Sequence, residues 1–370
     1  MKILLKRFFV FFCLVLQSFF LHSQDFSLSQ TDIKNLSAFA ESKNVWGSGV
    51  EGIIEDAYRQ CFKSYFIDGQ LMNIRIPFAE NHERDKLVKG GWEFLGKGKS
   101  DPASLWPVII ETLKTDDFKN YVQMLKNGKE QVVIFDIANK KWDTSTDIFD
   151  IARMKAGSYH GLPHKPYVLV RGDGVKESDV YNYLYCIAWT GLDCSAFVWY
   201  TLTTIAKKGN INLGVSLRRS LAMPVGGTAS NFAGTSFYNS RNKEIISVDD
   251  KIKNLRPADI LLFRAKDGTM AHSAIIQSID MSAGLIRYIQ DTDEAPQEER
   301  GVHDSYIYFN PKKTNVSLKD SSLRWSQTRF SPFPGERESA FSDDGQRYRA
   351  YGGGRTVRLR IINGVIATLR

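Results

Sequence analysis

Hydrophobic and polar positions divide the chain into stretches of different period. A basic start, MKILLKR, runs into FFVFFCLVLQSFFL (8–21), an almost uninterrupted apolar segment. Fourteen helical residues at 1.5 Å each cover roughly 21 Å, short of the roughly 30 Å hydrocarbon core of a bilayer. With Ser23 just after it, this segment reads as a secretory signal peptide over residues 1–24, leaving a mature protein outside the cytoplasm. Residues 25–128 read as mainly helical. In EGIIEDAYRQCFKSY (51–65), Ile53, Ile54, Ala57 and Cys61 fall along one helical face. Asp101 caps a helix with Pro102 at its first position, and DDFKNYVQMLKNG (116–128) closes on Lys126, Asn127 and Gly128. QVVIFDI (131–137) and KPYVLVRG (165–172) are strand candidates. A boundary near residue 155 then separates a helical N-terminal region (25–155) from a second region (156–370), in which one apolar helix is followed by turn-separated strands.

Composition narrows the class. The chain has 370 residues, 43% hydrophobic and 24% charged, which places it among globular proteins and is long enough for two compact units. The formal charge is +8, and removing Lys2, Lys6 and Arg7 with the leader leaves +5. That surplus is too small to indicate a nucleic-acid partner. Four cysteines are present, and Cys13 leaves with the leader. An odd count in an exported chain points either to one free thiol beside at most one disulfide or to three reduced, buried thiols. A Cys186–Cys194 bridge would consume Cys194, whereas a Cys61–Cys186 bridge would leave it free.

The candidate chemistry lies in three segments. Gly191-Leu-Asp-Cys-Ser-Ala-Phe-Val-Trp-Tyr places Cys194 in the first turn of an apolar helix, facing unpaired backbone N–H groups and the positive end of the helix dipole. Both favour a thiolate, as a cysteine nucleophile requires. Leu255-Arg-Pro-Ala-Asp-Ile-Leu-Leu-Phe263 is a turn feeding a strand, and Met270-Ala-His-Ser-Ala-Ile-Ile-Gln277 opens the next strand on His272. An antiparallel return along Leu285–Thr292 would bring Gln290 beside His272, where a neutral amide fixes the imidazole's orientation and tautomer. His303 and Asp304 form a rival orienting pair, but their polar loop reads as solvated. His160 and His164 have metal-ligand spacing, yet Gly161 and Pro163 oppose a helix there and nothing completes a site.

The order Asp-Cys-Ser-(small)-Phe, Pro-(small)-Asp-Ile-Leu-Leu-Phe, (small)-His-Ser-Ala-Ile and a polar residue closing the next strand resembles the NlpC-type cell-wall cysteine peptidases. The resemblance covers about residues 180–295. It implies an α+β fold: a papain-like core, with the cysteine helix packed on an antiparallel sheet, preceded here by the mainly helical N-terminal region. It also implies hydrolysis of γ-D-glutamyl–diamino acid bonds in peptidoglycan stem peptides. Cys194 would be the nucleophile, His272 the general base and Gln290 the orienting residue, with no metal or cofactor. The expected partner is peptidoglycan rather than nucleic acid, with membrane contact only through the transient leader. The sequence differs from the family pattern in Ala196, where glycine is usual, and in a long stretch at 207–251 that reads as an insertion. Two alternatives use the same fold: an amidase or acyltransferase with the same triad, and a non-catalytic wall-binding protein.

The tail from Pro311 to Arg370 holds twelve basic and five acidic residues. Val357, Leu359 and Ile361 alternate with Arg358 and Arg360, which predicts a last strand with a solvated basic face. That face would draw an anionic wall polymer toward the protein.

Overall fold

The computed structural model describes residues 49–78, 101–127, 131–136, 141–145, 167–170, 174–184, 188, 190–223, 234–265, 267–292, 301–328, 340–341 and 344–369. The leader, the boundary near 155, Cys186, His160 and His164 lie outside the described residues.

Helix α1 (Val50–Arg59) buries Ile53, Ile54 and Ala57 of the predicted face together with Tyr58, but it ends before Cys61, six residues short of 65. Strands β1 (Phe62–Ile67) and β2 (Gln70–Arg75) follow as an antiparallel hairpin with Ile67 opposite Gln70. This corrects the mainly helical reading of 25–128. The two-residue connection is Asp68-Gly69, with φ of 51° and 76°. Left-handed backbone at both positions makes the tight turn that matches strand twist, and Asp-Gly is a preferred sequence for it. Helix α2 (Pro102–Leu113) starts as expected, with the Asp101 carboxylate accepting from Ser104 N–H at 2.7 Å. Helix α3 (Asp116–Asn127) comes next. Strands β3 (Gln131–Asp136), β4 (Lys141–Ser145) and β5 (Tyr167–Val170) form a three-stranded sheet with β3 in the middle.

After α4 (Glu177–Asn182) comes the apolar helix α5 (Cys194–Lys208). The stretch read as an insertion contains α6 (Leu213–Ser220), α7 (Thr235–Asn239) and β6 (Ile245–Val248). The remaining elements are β7 (Ile260–Arg264), β8 (Met270–Asp280), β9 (Leu285–Thr292), β10 (Gly301–Tyr308), β11 (Arg324–Thr328), β12 (Ala340–Phe341), α8 (Asp344–Arg349), β13 (Arg355–Leu359) and α9 (Arg360–Thr368). With β6 they make an eight-stranded antiparallel sheet in the order β12-β11-β10-β9-β8-β7-β13-β6. The architecture is therefore mixed helix and antiparallel sheet, an α+β fold.

Both faces of the central strands are buried, because successive side chains leave a strand on opposite sides. Ile260, Leu262, Ile275, Ile289, Val302 and Val357 pack with Phe197, Val198 and Leu202 of α5 and Tyr58 of α1. Leu261, Phe263, Ala274, Ile276, Tyr288 and Ile307 pack on the other side with Trp325 and Tyr348. The first cluster runs continuously through residues on both sides of 155. The chain from β2 also reaches the start of the cysteine helix. Ile76 O accepts from Val302 N–H at 3.3 Å, and Pro77 O accepts from Leu192 N–H at 2.9 Å.

The C-terminal strand reading needs two corrections. The strand stops at Leu359, so Ile361 belongs to α9, and β13 lies inside the sheet between β7 and β6. Arg358 does not belong to a free basic face. Its guanidinium clamps buried Asp259, with Nε to Oδ1 at 2.6 Å and Nη2 to Oδ2 at 2.8 Å.

Candidate functional site

Helix α5 is capped by Asp193, whose Oδ1 accepts from Ala196 N–H at 2.5 Å and from the Ser195 hydroxyl at 2.9 Å. This cap sets Cys194 at the first helical position, facing the dipole's positive end as the sequence predicted. Its environment nevertheless raises the thiol pKa. Burial, followed by the Asp193 carboxylate, pushes the thiol up to about 12, while the N–H and hydroxyl of Ser273 against the sulfur oppose the shift. Cys194 is 8% exposed, and at that depth desolvation outweighs a helix terminus. The resting group is a thiol, which corrects the thiolate expected from the helix start alone. Cys61 and Cys194 are buried free thiols; Cys186, the partner of each in the anticipated pairings, lies outside the described residues.

His272 and Gln290 meet directly, with Nε2 to Oε1 at 2.6 Å. The Gln290 amide nitrogen donates to Asp344 Oδ2 at 2.7 Å and to Ser305 Oγ at 3.0 Å, and the Tyr288 hydroxyl donates to the same Asp344 oxygen at 2.6 Å. Burial, then the Arg347 guanidinium, drives the imidazole down to about 3 against the opposing Gln290 bond, so His272 rests neutral. The rival pair is not solvated: His303 and Asp304 are buried in β10. His303 Nδ1 bonds Gly301 O at 2.8 Å, and Asp304 bonds Arg287.

The sheet divides the three sequence-predicted residues. His272 pairs with Phe263 across β7 and β8, and their rings are 5.3 Å apart in the layer that contains Tyr288 and Trp325. Ser273 pairs with Leu262, whose side chain joins the α5 layer. Cys194 therefore meets Ser273 and feels the charge of Asp291, the immediate neighbours of His272 and Gln290. No hydrogen bond joins the Cys194 thiol to the imidazole among the described residues. Beside His272 the β7–β8 register shifts between Phe263 and Arg264, which pairs with Met270.

Sequence reasoning missed Ser273, Asp291, Tyr238 and Asp344. Buried Tyr238 of α7 is influenced by Asp193 and Cys194, after burial itself, and its hydroxyl is raised. Alternation along β8 and β9 was visible, but it does not show which of two neighbours faces the helix. Comparison with family models, with curated proteins and with solved structures gives no match to this chain.

Proposed function

We propose that the protein is an exported thiol hydrolase that cleaves peptide bonds in peptidoglycan stem peptides, with Cys194 as nucleophile and His272, oriented by Gln290, as base. The observation that carries this reading is the site's construction. A capped helix starts on Cys194 against a strand pair whose imidazole is bonded to an immobilised amide. The order of these segments and the exported leader supply the substrate class by resemblance. In the reaction, the Cys194 sulfur attacks the scissile carbonyl as its proton passes to His272. The imidazolium returns that proton to the departing amine, and a thioester remains. His272 then takes a proton from water, whose oxygen displaces the sulfur and restores the thiol. Backbone N–H groups at the start of α5 would hold the oxyanion. Proton transfer requires thiol and imidazole to meet, so on this reading bound substrate must bring the two groups within hydrogen-bond reach.

Mass spectrometry of soluble fragments released from purified peptidoglycan tests this directly. Stem fragments are expected with the wild type and none with Cys194→Ala, and equal release by both would overturn it. One observation favours a second reading, a wall-binding protein without turnover: the thiol is buried and protonated on the face opposite His272. Titration with iodoacetamide in the presence of peptidoglycan fragments separates the two. Acceleration of Cys194 alkylation supports the hydrolase, and an inert thiol together with co-sedimentation supports the binder.

A further inference from the structure

Four buried side chains around Gln290 constrain more than its position. The amide nitrogen has two donor hydrogens, and both are used, one on Asp344 Oδ2 at 2.7 Å and one on Ser305 Oγ at 3.0 Å. A flipped amide would set its oxygen against the Asp344 carboxylate oxygen, which already accepts from the Tyr288 hydroxyl at 2.6 Å. Two acceptors facing each other in a dry interior is the costly arrangement, so the oxygen of Gln290 must face His272. An amide oxygen only accepts. The imidazole nitrogen 2.6 Å from it, Nε2, therefore carries the hydrogen. Asp344 is held in turn by its place at the start of α8, where Gly345 lies so close to the Trp325 ring that a Cβ there would stand 2.5 Å from Cδ1. Arg347 Nη1, one turn further along, lies 3.8 Å from the second Asp344 oxygen.

We propose that Asp344 is a positioning residue that acts through Gln290. It locks the amide so that His272 holds its proton on Nε2 and keeps Nδ1 as the basic nitrogen. The value of this lock for catalysis rests on the reading of His272 as the general base, whereas the tautomer itself does not. Asp344 lies more than fifty residues beyond Gln290, outside the segments that suggested the site, and it donates nothing to His272 directly.

The test is long-range proton–nitrogen NMR of the full mature chain with 15N-labelled histidine, using His272→Gln to assign the signal among the five histidines of residues 25–370. The wild type is expected to show His272 as the Nε2–H tautomer alone. Asp344→Ala should introduce the Nδ1–H form, and Asp344→Asn, which keeps an acceptor oxygen, should restore the wild-type signal. Ser305→Ala, which leaves the Asp344 bond intact, should leave the tautomer unchanged and serves if Asp344→Ala fails to fold. An Nδ1–H wild type, or a pure Nε2–H signal in folded Asp344→Ala, overturns the proposal, as does a changed tautomer in Ser305→Ala. For the hydrolase, Asp344→Ala should lower kcat for fragment release roughly 100-fold with KM unchanged. If the tautomers behave as described but no form releases fragments, the Asp344 lock stands and the hydrolase reading fails.

Discussion

The two faces of the eight-stranded sheet are both buried, yet they are held together by different forces. On the α5 face a buried cation joins helix to sheet. Arg287 of β9 donates through Nε to Asp304 at 2.8 Å and through Nη1 to Glu55 of α1, and its guanidinium lies 5.1 Å from the Tyr58 ring centroid. The two carboxylates respond in opposite directions. Burial dominates at Asp304 and raises it, whereas at Glu55 the pull of Arg287 and Arg59 outweighs burial and lowers it. On the α8 face no comparable ion pair links helix to sheet among the described residues. Aromatic rings surround a hydrogen-bonded chain there that ends on the Asp344 carboxylate, with Trp325 stacked on Tyr348 at 5.5 Å and Phe263 edge-on to both. A cation paired with two carboxylates fixes the docking of α1, while hydrogen bonds ending on one carboxylate fix the orientation of an imidazole. Burial keeps both candidate catalytic groups uncharged, the thiol on one face and the imidazole on the other.

The contrast can be tested with substitutions and pH. The largest effect expected on the α5 face is from Arg287→Ala, which takes the cation from buried Asp304 and leaves Glu55 with Arg59 alone, and should cost ~3–5 kcal/mol in urea unfolding. If the two layers are independent, the His272 tautomer in the surviving folded fraction stays as in the wild type. Phe263→Ala removes a fully buried ring from the opposite layer and should also cost ~3–5 kcal/mol. In contrast to Arg287→Ala, it should loosen His272, seen as faster exchange of the ring N–H.

A pH slope should distinguish the layers next. Folded His272 binds a proton only near pH 3, whereas the unfolded chain binds one near 6.5. Below about pH 6.5 the unfolded state therefore takes up the proton first, and stability falls as pH drops. Urea midpoints measured from pH 7 to 4 should fall in the wild type and fall less in His272→Gln. Equal slopes would show that the imidazole is not buried neutral. The smallest change expected is Asp193→Ala, which removes the α5 cap for ~1 kcal/mol. It also takes away a carboxylate that raises the thiol, so Cys194 alkylation should reach half its maximum at lower pH than in the wild type.

Much of this was legible in sequence, and the remainder has identifiable physical causes. The start of α2, the start of α5, the strands opening at Ile260 and Met270, and the approach of Gln290 to His272 all follow from local patterns. The β1–β2 hairpin was also written locally, in Asp68-Gly69 between alternating residues, but the helical period of the preceding segment was carried too far. Arg358 looked solvated because strand alternation separates two faces without saying what covers either, and Asp259 covers this one.

Local elements follow from the chain's own pattern, because capping, turn chemistry and hydrophobic period act over a few residues. That pattern also determined that His272 and Ser273 point to opposite sides of β8, as do Gln290 and Asp291 on β9. Which of each pair faces Cys194 depends on where α5 docks across the sheet, a long-range contact set by packing. Tertiary burial likewise decided that the thiol rests protonated, since desolvation depends on everything packed around the group rather than on its neighbours in the chain. Asp344 reaches Gln290 only because α8 folds back over the sheet, a contact that no local pattern records.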